Sequence, residues 1–271
     1  MEAVILAGGP IPSALRGVTD ATERALISLQ GRPLLEHVLE SLRGVPPITG
    51  LICVATPRAL ESLPSDVRGI ASGELLSENL FKGARAAKGD RVLIVTGDLP
   101  LATGQTWMQF LDGAAVNLLE AAYPIVSKAN CDEQFPGGTR TYASLSDGQF
   151  TGGNAFLLPR AQLESLETLI SEAFAARKNP FALARMLGAG FIARALSKRL
   201  SIGDVEEKVS KMIRCRAGAV QMSDASIAFD VDKPSDLETA ARVLQARGKG
   251  SAGSGKDGAT WRSPSPHHQK R

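Results

Sequence analysis

The sequence predicts an α/β protein in which helices cover both faces of a mostly parallel, doubly wound sheet. Apolar strand-like segments alternate with amphipathic helical segments through residues 1–96, at a spacing typical of parallel strands joined by helical crossovers. Glycine- and aspartate-bearing loops follow the first and the last of these strands. Because ligands of doubly wound sheets bind at the carboxyl ends of the strands, these loops are the first functional candidates.

The first part of the chain alternates strands with two clear helical segments. We expect one helix in "PLLEHVLESLR", with Pro33 at its first position, and a second in "ENLFKGARAAK", capped by Ser77. Apolar residues recur at helical spacing in both segments and form one stripe on each. The predicted strands are residues 2–6, 50–55, 67–71 and 91–96.

The second part of the chain is more mixed and is expected to extend the same sheet. Near its end, "ASIAFDV" has the pattern of a strand that finishes near Val231, and a helix is expected to open at Pro234. Further strands are predicted at 123–128 and 149–159, a long amphipathic helix at 161–177, and shorter helices near 181–187 and 190–199.

Composition predicts one folded domain, residues 1–246, followed by a disordered basic tail, residues 247–271. The tail is rich in Gly, Ser and Pro and has a net charge of +5, which leaves −2 for the rest of the chain. The folded part is therefore not basic, and only Trp261 adds an aromatic ring among the tail charges. Nucleic acid is thus not the expected partner.

Sequence patterns also exclude several classes of protein. No apolar run is long enough to span a membrane, and no basic region followed by an apolar stretch opens the chain as in a signal peptide. Cys53, Cys131 and Cys215 are widely spaced and form no zinc-binding pattern. Three scattered cysteines are typical of a reducing compartment, so we expect a cytoplasmic protein.

The loop after the first strand has the composition of an anion-binding site. Gly8 and Gly9 allow backbone N–H groups to approach an anion, while Arg16 and Arg24 can reach phosphate oxygens with two N–H groups each. The spacing matches neither the dinucleotide-binding GxGxxG pattern nor the P-loop pattern. The loop considered alone is also compatible with a simple turn flanked by solvated arginines.

Carboxylates in two other segments are candidates for binding a metal ion. Asp98 follows a predicted strand at the same sheet edge, where Mg²⁺ ligands are often found, although a turn or capping role would also explain it. Asp230 and Asp232 are expected on one face of the last predicted strand, a costly arrangement unless a cation neutralises them. Alternatively, one of them could stabilise the positive end of the following helix.

Together these motifs resemble those of the MobA-like NTP transferases of the nucleotidyltransferase superfamily. The resemblance implies a Rossmann-like three-layer α/β/α sandwich of the nucleotide-diphospho-sugar transferase type. The matching segments, in the family's order, are "AVILAGG" at 3–9, Arg16-Gly17, "RALISLQGRPLLEHVLESL" at 24–42, "TGDLPL" at 96–101 and "FDVDKPSDLE" at 229–238.

The resemblance implies a role for each matching residue. Arg16 and Arg24 are the implied catalytic residues, and Asp98 and Asp232 the implied Mg²⁺ ligands, with Asp232 matching the second ligand position better than Asp230. The implied nucleotide-binding residues are Leu6, Ala7, Gly8, Gly9, Gly73, Ser77 and Asn79. The implied acceptor pocket consists of Thr151, Gly152, Gly153 and Asn154.

The implied activity is transfer of a nucleoside monophosphate from a nucleoside triphosphate to a small phosphorylated acceptor, with release of pyrophosphate. The sequence departs from the family pattern at two places. The loop "PIPSALRG" contains two prolines, and Arg24 stands where relatives carry a lysine. Arginine spreads its charge over a larger planar group. Its presence favours an alternative in which the chain binds nucleotides or sugar nucleotides as a non-catalytic regulator.

Overall fold

The structure is a computed structural model and describes residues 1–176 and 188–250. Its strands are β1 (Glu2–Leu6), β2 (Ser28–Leu29), β3 (Arg32–Pro33), β4 (Gly50–Ala55), β5 (Val67–Ala71), β6 (Arg91–Thr96), β7 (Ala121–Ser127), β8 (Ala143–Leu145), β9 (Gly148–Gly152), β10 (Ala155–Pro159) and β11 (Ala217–Met222). Its helices are α1 (Leu34–Leu42), α2 (Pro57–Glu61), α3 (Leu76–Ala86), α4 (Gly104–Val116), α5 (Lys128–Gln134), α6 (Leu163–Ala176), α7 (Ala189–Leu196), α8 (Ile202–Ile213) and α9 (Pro234–Gly250).

The main sheet is mixed but mostly parallel, as the sequence predicts. Strands β5, β4, β1 and β6 lie side by side in parallel, and β10 inserts antiparallel between β6 and β7. On the far edge of β7 lies β11, which is parallel to it, while β9 and β8 extend the sheet from the end of β7. The small β2–β3 hairpin stands apart from this sheet.

Two apolar cores cover the two faces of the sheet and produce the predicted three layers. Alternate residues of β1 point to opposite faces, so Ala3 and Ile5 enter one core while Val4 enters the other. The first core includes α1 and α4 with the buried Trp107, and the second includes α3 with the buried Phe81. Among the described residues, no helix combines the length and apolarity needed to cross a membrane.

Two helices begin at residues other than those that the local signals predict. Helix α3 begins at Leu76 after Leu75, which provides no side-chain cap, so the prediction that Ser77 caps this helix is wrong. Ser77 lies instead in the first turn of α3. Pro33 precedes α1 in an extended conformation and belongs to β3, rather than occupying the first helical position.

The strand predicted up to Val231 is also wrong. The strand of this region is β11, farther upstream, and Ala225–Ala228 form a 3₁₀ turn. Asp224 stabilises this turn by accepting a hydrogen bond from the N–H of Ser226 at 2.9 Å. The turn is buried against β7 and α5, which explains its strand-like apolar composition.

Other predicted elements changed in their bounds. The segment 149–159 splits into β9 and β10, because the N–H of Gly153 bonds to Pro124 and that of Asn154 to Ile227. Helix α9 continues to Gly250, beyond the predicted domain end at residue 246. The helix near 181–187 and the tail residues 251–271 lie outside the described residues.

Candidate active site

Strands β1 and β6 bring the glycine loop and Asp98 to one edge of the sheet. Leu6 is in register with Thr96, and the N–H of Gly97 donates to the carbonyl oxygen of Leu6 at 2.9 Å. A Cβ on Gly97 would lie 3.1 Å from the Cβ of Ala7, so a glycine suits this close approach. Asp98 therefore leaves β6 beside the start of the loop after β1.

The segment that carries Arg24 folds back over the glycine loop. Pro10 and Glu23 form an isolated antiparallel bridge, and the N–H of Arg24 donates to the carbonyl oxygen of Gly9 at 3.4 Å. The carboxylate of Glu23 accepts a hydrogen bond from the hydroxyl of Thr56 at the end of β4. These contacts hold the backbone of Arg24 above the carboxyl ends of the parallel strands.

The guanidinium of Arg24 joins two of the predicted metal ligands. Its Nη1 donates to Asp98 Oδ2, and its Nη2 lies 2.9 Å from Asp232 Oδ1. The segment of Asp232 is itself attached to that of Asp98, because the N–H of Val231 donates to the carbonyl oxygen of Asp98 at 3.3 Å. The structure thus brings together Arg24, Asp98 and Asp232, which are far apart in the sequence.

Burial and neighbouring charges shift the pKa values of Arg24 and Asp230 in this cluster. Burial opposes the charge of Arg24, but the carboxylates of Asp98, Asp232 and Asp230 outweigh it, and the pKa of Arg24 is raised. Asp230 shows the opposite effect of crowding, since burial and then the neighbouring carboxylates Asp98 and Asp232 raise its pKa to about 6. The cluster as a whole has more negative charge than Arg24 compensates.

Two polar atoms at the centre of the cluster lack partners among the described residues: the Oδ1 of Asp98 and the Nε of Arg24. Both atoms are buried, and a buried polar atom without a partner costs roughly 1–3 kcal/mol. The first is an acceptor suited to a cation, and the second is a donor suited to an anion. A cation and an anion bound together would satisfy both atoms.

The fit of Mg²⁺ to the predicted ligands is supported by the donor chemistry. Asp98 and Asp232 offer carboxylate oxygens, the donors that Mg²⁺ prefers, and Asp98 Oδ1 is unused. Asp230 pairs instead with Arg140, whose Nη1 lies 3.6 Å from Asp230 Oδ1. Within the part of the chain that the structure describes, no three His, Cys, Asp or Glu side chains form a ready metal site, and Arg24 pairs with both carboxylates.

Glycine occupies positions 8 and 9 of the loop for different reasons. A Cβ on Gly8 would lie 2.6 Å from the Cβ of Ser72, so Gly8 is needed for packing. A Cβ on Gly9 would have nothing within 4 Å, and Gly9 does not adopt the left-handed conformation that favours glycine. Neither N–H donates to a backbone acceptor among the described residues. Packing and backbone conformation therefore leave Gly9 unexplained, which favours a ligand contact.

The neighbouring predicted nucleotide-binding residues form hydrogen bonds that support the loop, Leu6 and Ala7 through their backbones and Asn79 through its side chain. The N–H of Ala7 donates to the carbonyl oxygen of Val54 at 2.8 Å, and the carbonyl oxygen of Leu6 accepts from the N–H of Gly97. Asn79 is buried and bonds to both backbone groups of Gly73, at 2.6 Å to the N–H and 3.2 Å to the carbonyl oxygen. Asn79 therefore positions the Gly73 turn, next to Ser77 in the first turn of α3.

Arg16 is not brought into this cluster. It follows a 3₁₀ turn at Ser13–Leu15 and is exposed, and its side chain takes part in no hydrogen bond or ion pair with the residues that the structure describes. A catalytic role for Arg16 stays a prediction.

A polar cavity of about 380 Å³ opens beside the carboxylates. Of the predicted acceptor residues, Thr151, Gly152 and Asn154 line it, whereas Gly153 packs against Pro124, to whose Cγ an added Cβ would approach within 2.8 Å. The remaining lining residues are Gly138, Thr139, Arg140, Thr141, Ala228, Asp230, Asp232, Lys233 and Asp236.

Sequence reasoning missed Arg140 and Lys233 in this cavity. The Arg140 side chain is only 12% exposed, and its guanidinium lies 5.1 Å from the centre of the Phe229 ring. Lys233 donates to the hydroxyl of Thr139. The segment "PGGTR" at 136–140 repeats the combination of paired glycines followed by an arginine that marked the first loop, and that signal could have identified Arg140.

A comparison with protein families identifies the family of the chain. The profile of the MobA-like NTP transferase domain matches residues 3–186 of the chain. The chain belongs to this family. The matched region contains the glycine loop, Arg24, Asp98 and the cavity residues Arg140 and Asn154. No curated protein matches the sequence significantly.

Solved structures similar to this MobA-like protein agree with the assignment. A "hypothetical transferase" from Thermus thermophilus is 33% identical with a TM-score of 0.77, over 88% of this chain and all of the other. A 4-diphosphocytidyl-2C-methyl-D-erythritol synthase from Anaerococcus prevotii is 17% identical with a TM-score of 0.56, over 90% of this chain and 97% of its own. A glucose-1-phosphate thymidylyltransferase from Bacillus anthracis, described as putative, is 15% identical with a TM-score of 0.57, over 94% of this chain and 98% of its own. At these identities the last two show a shared fold.

Proposed function

We propose that the protein is a Mg²⁺-dependent nucleotidyltransferase. It transfers a nucleoside monophosphate unit from a nucleoside triphosphate to a small phosphorylated acceptor and releases pyrophosphate. The observation that carries this proposal is the pair of unsatisfied groups at the cluster, Asp98 Oδ1 and Arg24 Nε. A cation bound to Asp98 and an anion bound to Arg24 would satisfy both atoms, and a metal–triphosphate complex supplies this pair of charges.

The triphosphate is proposed to bind along the first loop. Gly9 is open to a ligand, and the backbone N–H groups of Gly8 and Gly9 supply donors of the kind that bind phosphate oxygens. Arg24 lies at the same place, and its guanidinium can donate to a phosphate once the side chain turns away from the carboxylates. The Gly73 turn held by Asn79 borders the loop, because Ser72 contacts Gly8, and is proposed to border the nucleotide base.

Asp98 and Asp232 are proposed to hold Mg²⁺ through their carboxylate oxygens. When bound, the ion neutralises charge that develops on the phosphates during transfer. Asp98 is almost fully buried, so its carboxylate is held in one orientation by the fold. This arrangement suits a site that positions charges in advance of the reaction.

The acceptor is proposed to occupy the polar cavity beside the carboxylates. Arg140 offers a nearly buried guanidinium, and Thr151 and Asn154 offer groups that hydrogen-bond to hydroxyls or phosphate oxygens. These residues orient an acceptor oxygen for attack on the α-phosphorus. A bond forms between that oxygen and the α-phosphorus, the bond to the bridging oxygen breaks, and pyrophosphate leaves with the electron pair. Positioning is the main contribution of the protein.

An assay of pyrophosphate release tests the proposal. The protein is incubated with each of the four nucleoside triphosphates, Mg²⁺, inorganic pyrophosphatase and a panel of sugar phosphates and other phosphorylated acceptors, and phosphate release is followed. Turnover is expected with at least one pair. Asp98→Asn should lower it by at least 100-fold, on the order of the loss of one charge-stabilising group. The matched control is Asp66→Asn, which removes a carboxylate paired with Arg43 on the surface.

Two results would contradict the proposal. Unchanged turnover in the Asp98→Asn variant would overturn the role of this carboxylate. Nucleotide binding, detected by thermal shift, without turnover across the panel would overturn the enzymatic function and support a non-catalytic nucleotide-binding regulator.

A further inference from the structure

One arginine side chain already occupies the position between the two proposed metal ligands. The two Nη atoms of Arg24 contact different carboxylates, Asp98 through Nη1 and Asp232 through Nη2, the latter at 2.9 Å. A guanidinium is planar and presents separate donors in a rigid fork, so one group can bridge two carboxylates. Arg24 therefore supplies to this pair the positive charge that a bound cation would supply.

The backbone of Arg24 is held in place, whereas the end of its side chain has room to move. The N–H of Arg24 bonds to Gly9, and its carbonyl oxygen accepts from the N–H of Ile27 at 3.1 Å. By contrast, 28% of its side chain is exposed, and Asp232 is more than half exposed. A cation can thus approach Asp232 from solvent, and the guanidinium can rotate away without unfolding the loop.

The bridged arrangement leaves hydrogen-bonding capacity unused. Asp98 Oδ1 and Arg24 Nε are both buried and both lack a partner within residues 1–176 and 188–250. A bridge that satisfied every donor and acceptor would resist displacement, whereas this one is incomplete. A cation on Asp98 and an anion on Arg24 would satisfy both atoms, so binding of the two ligands together favours the open arrangement.

We propose that Arg24 is a tethered competitor of the divalent cation and thereby determines the metal affinity of the site. In the free protein the guanidinium of Arg24 pairs with both Asp98 and Asp232 and keeps the affinity of these carboxylates for metal low. An anionic ligand that draws Arg24 away releases the carboxylates, so metal and triphosphate bind cooperatively. This inference rests on the proposed function to the extent that both assign Asp98 and Asp232 as metal ligands.

Direct titration with Mn²⁺ tests the inference without any need for turnover. Mn²⁺ binding to the full chain is measured by electron paramagnetic resonance in the absence of nucleotide, for the wild type, Arg24→Gln and Arg24→Lys. Arg24→Gln should bind Mn²⁺ about tenfold more tightly or better, because the competing charge is gone. Arg24→Lys should lie between the two, because an ammonium keeps the charge but has no fork to span both carboxylates.

The matched control is Arg32→Gln, which removes a guanidinium that pairs with Glu36 and Glu40 on α1. Its Mn²⁺ affinity should equal that of the wild type. Equal or weaker Mn²⁺ binding by Arg24→Gln would overturn the inference. If Arg24→Gln does not fold, Arg24→Lys alone decides, and an affinity no higher than that of the wild type overturns it.

Asp98→Asn separates this failure from failure of the proposed function. If Asp98→Asn abolishes Mn²⁺ binding but the Arg24 variants leave it unchanged, only the competition is wrong. If Asp98→Asn leaves Mn²⁺ binding unchanged, the assignment of the metal ligands is wrong and both proposals fail.

Discussion

Replacing Gly8 or Gly9 by alanine separates packing from ligand contact in the first loop. In the Gly8→Ala variant the new Cβ would lie 2.6 Å from Ser72 Cβ and 2.7 Å from Ser72 Oγ. Carbon atoms pack at about 3.5–4.0 Å, so the two loops must separate by about 1 Å. Overpacking of this kind typically costs about 1–3 kcal/mol of unfolding free energy.

The Gly9→Ala variant is the matched control for stability. Its Cβ meets nothing within 4 Å, and the backbone conformation tolerates a side chain. We expect its stability to be unchanged or raised by up to about 1 kcal/mol, because alanine has fewer unfolded conformations. Its affinity for nucleoside triphosphates should fall, because the Cβ fills the space where we propose the phosphates approach.

Thermal unfolding followed by circular dichroism checks the stability difference, and calorimetry with nucleoside triphosphates checks binding. At about 2–4 °C per kcal/mol for a domain of this size, Gly8→Ala should lower the Tm by about 2–12 °C. The additional change Ser72→Gly, made in the Gly8→Ala background, should recover most of the loss. Equal destabilisation by Gly8→Ala and Gly9→Ala would refute the packing argument. Unchanged nucleotide affinity in Gly9→Ala would refute the ligand contact.

Two further substitutions test how the cavity and the core are supported. Gly152→Ala would place a Cβ against the ring and hydroxyl of Tyr123, and should lower the unfolding free energy by about 1–3 kcal/mol in urea titrations. Adding Tyr123→Phe removes only the closest of the three contacts, so it should recover part of the loss; no recovery would count against the contact. Ser41→Ala removes the acceptor that lies 2.8 Å from the buried Nε1 of Trp107, with an expected loss of about 1–3 kcal/mol. Ser62→Ala, which loses only a long 3.5 Å bond to a carbonyl oxygen, should lose less, and an equal loss would contradict the role given to Ser41.

Local patterns predicted the first four strands of the main sheet well because each is a short apolar run with little competing structure. The segments 2–6, 50–55, 67–71 and 91–96 match β1, β4, β5 and β6 residue for residue. Strands β1, β4 and β6 are buried on both faces, so their composition alone is diagnostic, whereas β5 lies at the edge of the sheet and is mostly exposed.

The same reasoning failed where burial came from tertiary packing. Residues 225–228 are mostly apolar because they are buried against β7 and α5, and they form a 3₁₀ turn held by Asp224. The predicted capping role of Ser77 failed because a serine also fits in the first turn of a helix, one or two residues past the cap. Short polar signals are correct about the region of a helix end but ambiguous by a residue or two.

Arg140 shows what was missed within the site. Its sequence neighbours contain glycines and a threonine, which are common in loops, and its burial depends on the ring of Phe229, far along the chain. The glycine pair before Arg140 resembles that of the first loop, but no local pattern shows that the arginine side chain packs against Phe229. The cavity lining could therefore be only partly predicted, from the segment 151–154.

The sequence by itself determined the fold class and the presence of the glycine loop and Asp98 at one sheet edge, because local patterns predict the strand ends and the carboxyl ends of parallel strands share one edge. Only the tertiary structure decided how the charges of the site combine. Arg24 and Asp98 are separated by 74 residues, and their pairing depends on how the Arg24 segment folds over the glycine loop. The same folding left Gly9 open and two polar atoms unsatisfied. Composition cannot reveal which buried polar atoms lack a hydrogen-bond partner, because this depends on the positions of the atoms rather than on the residue types.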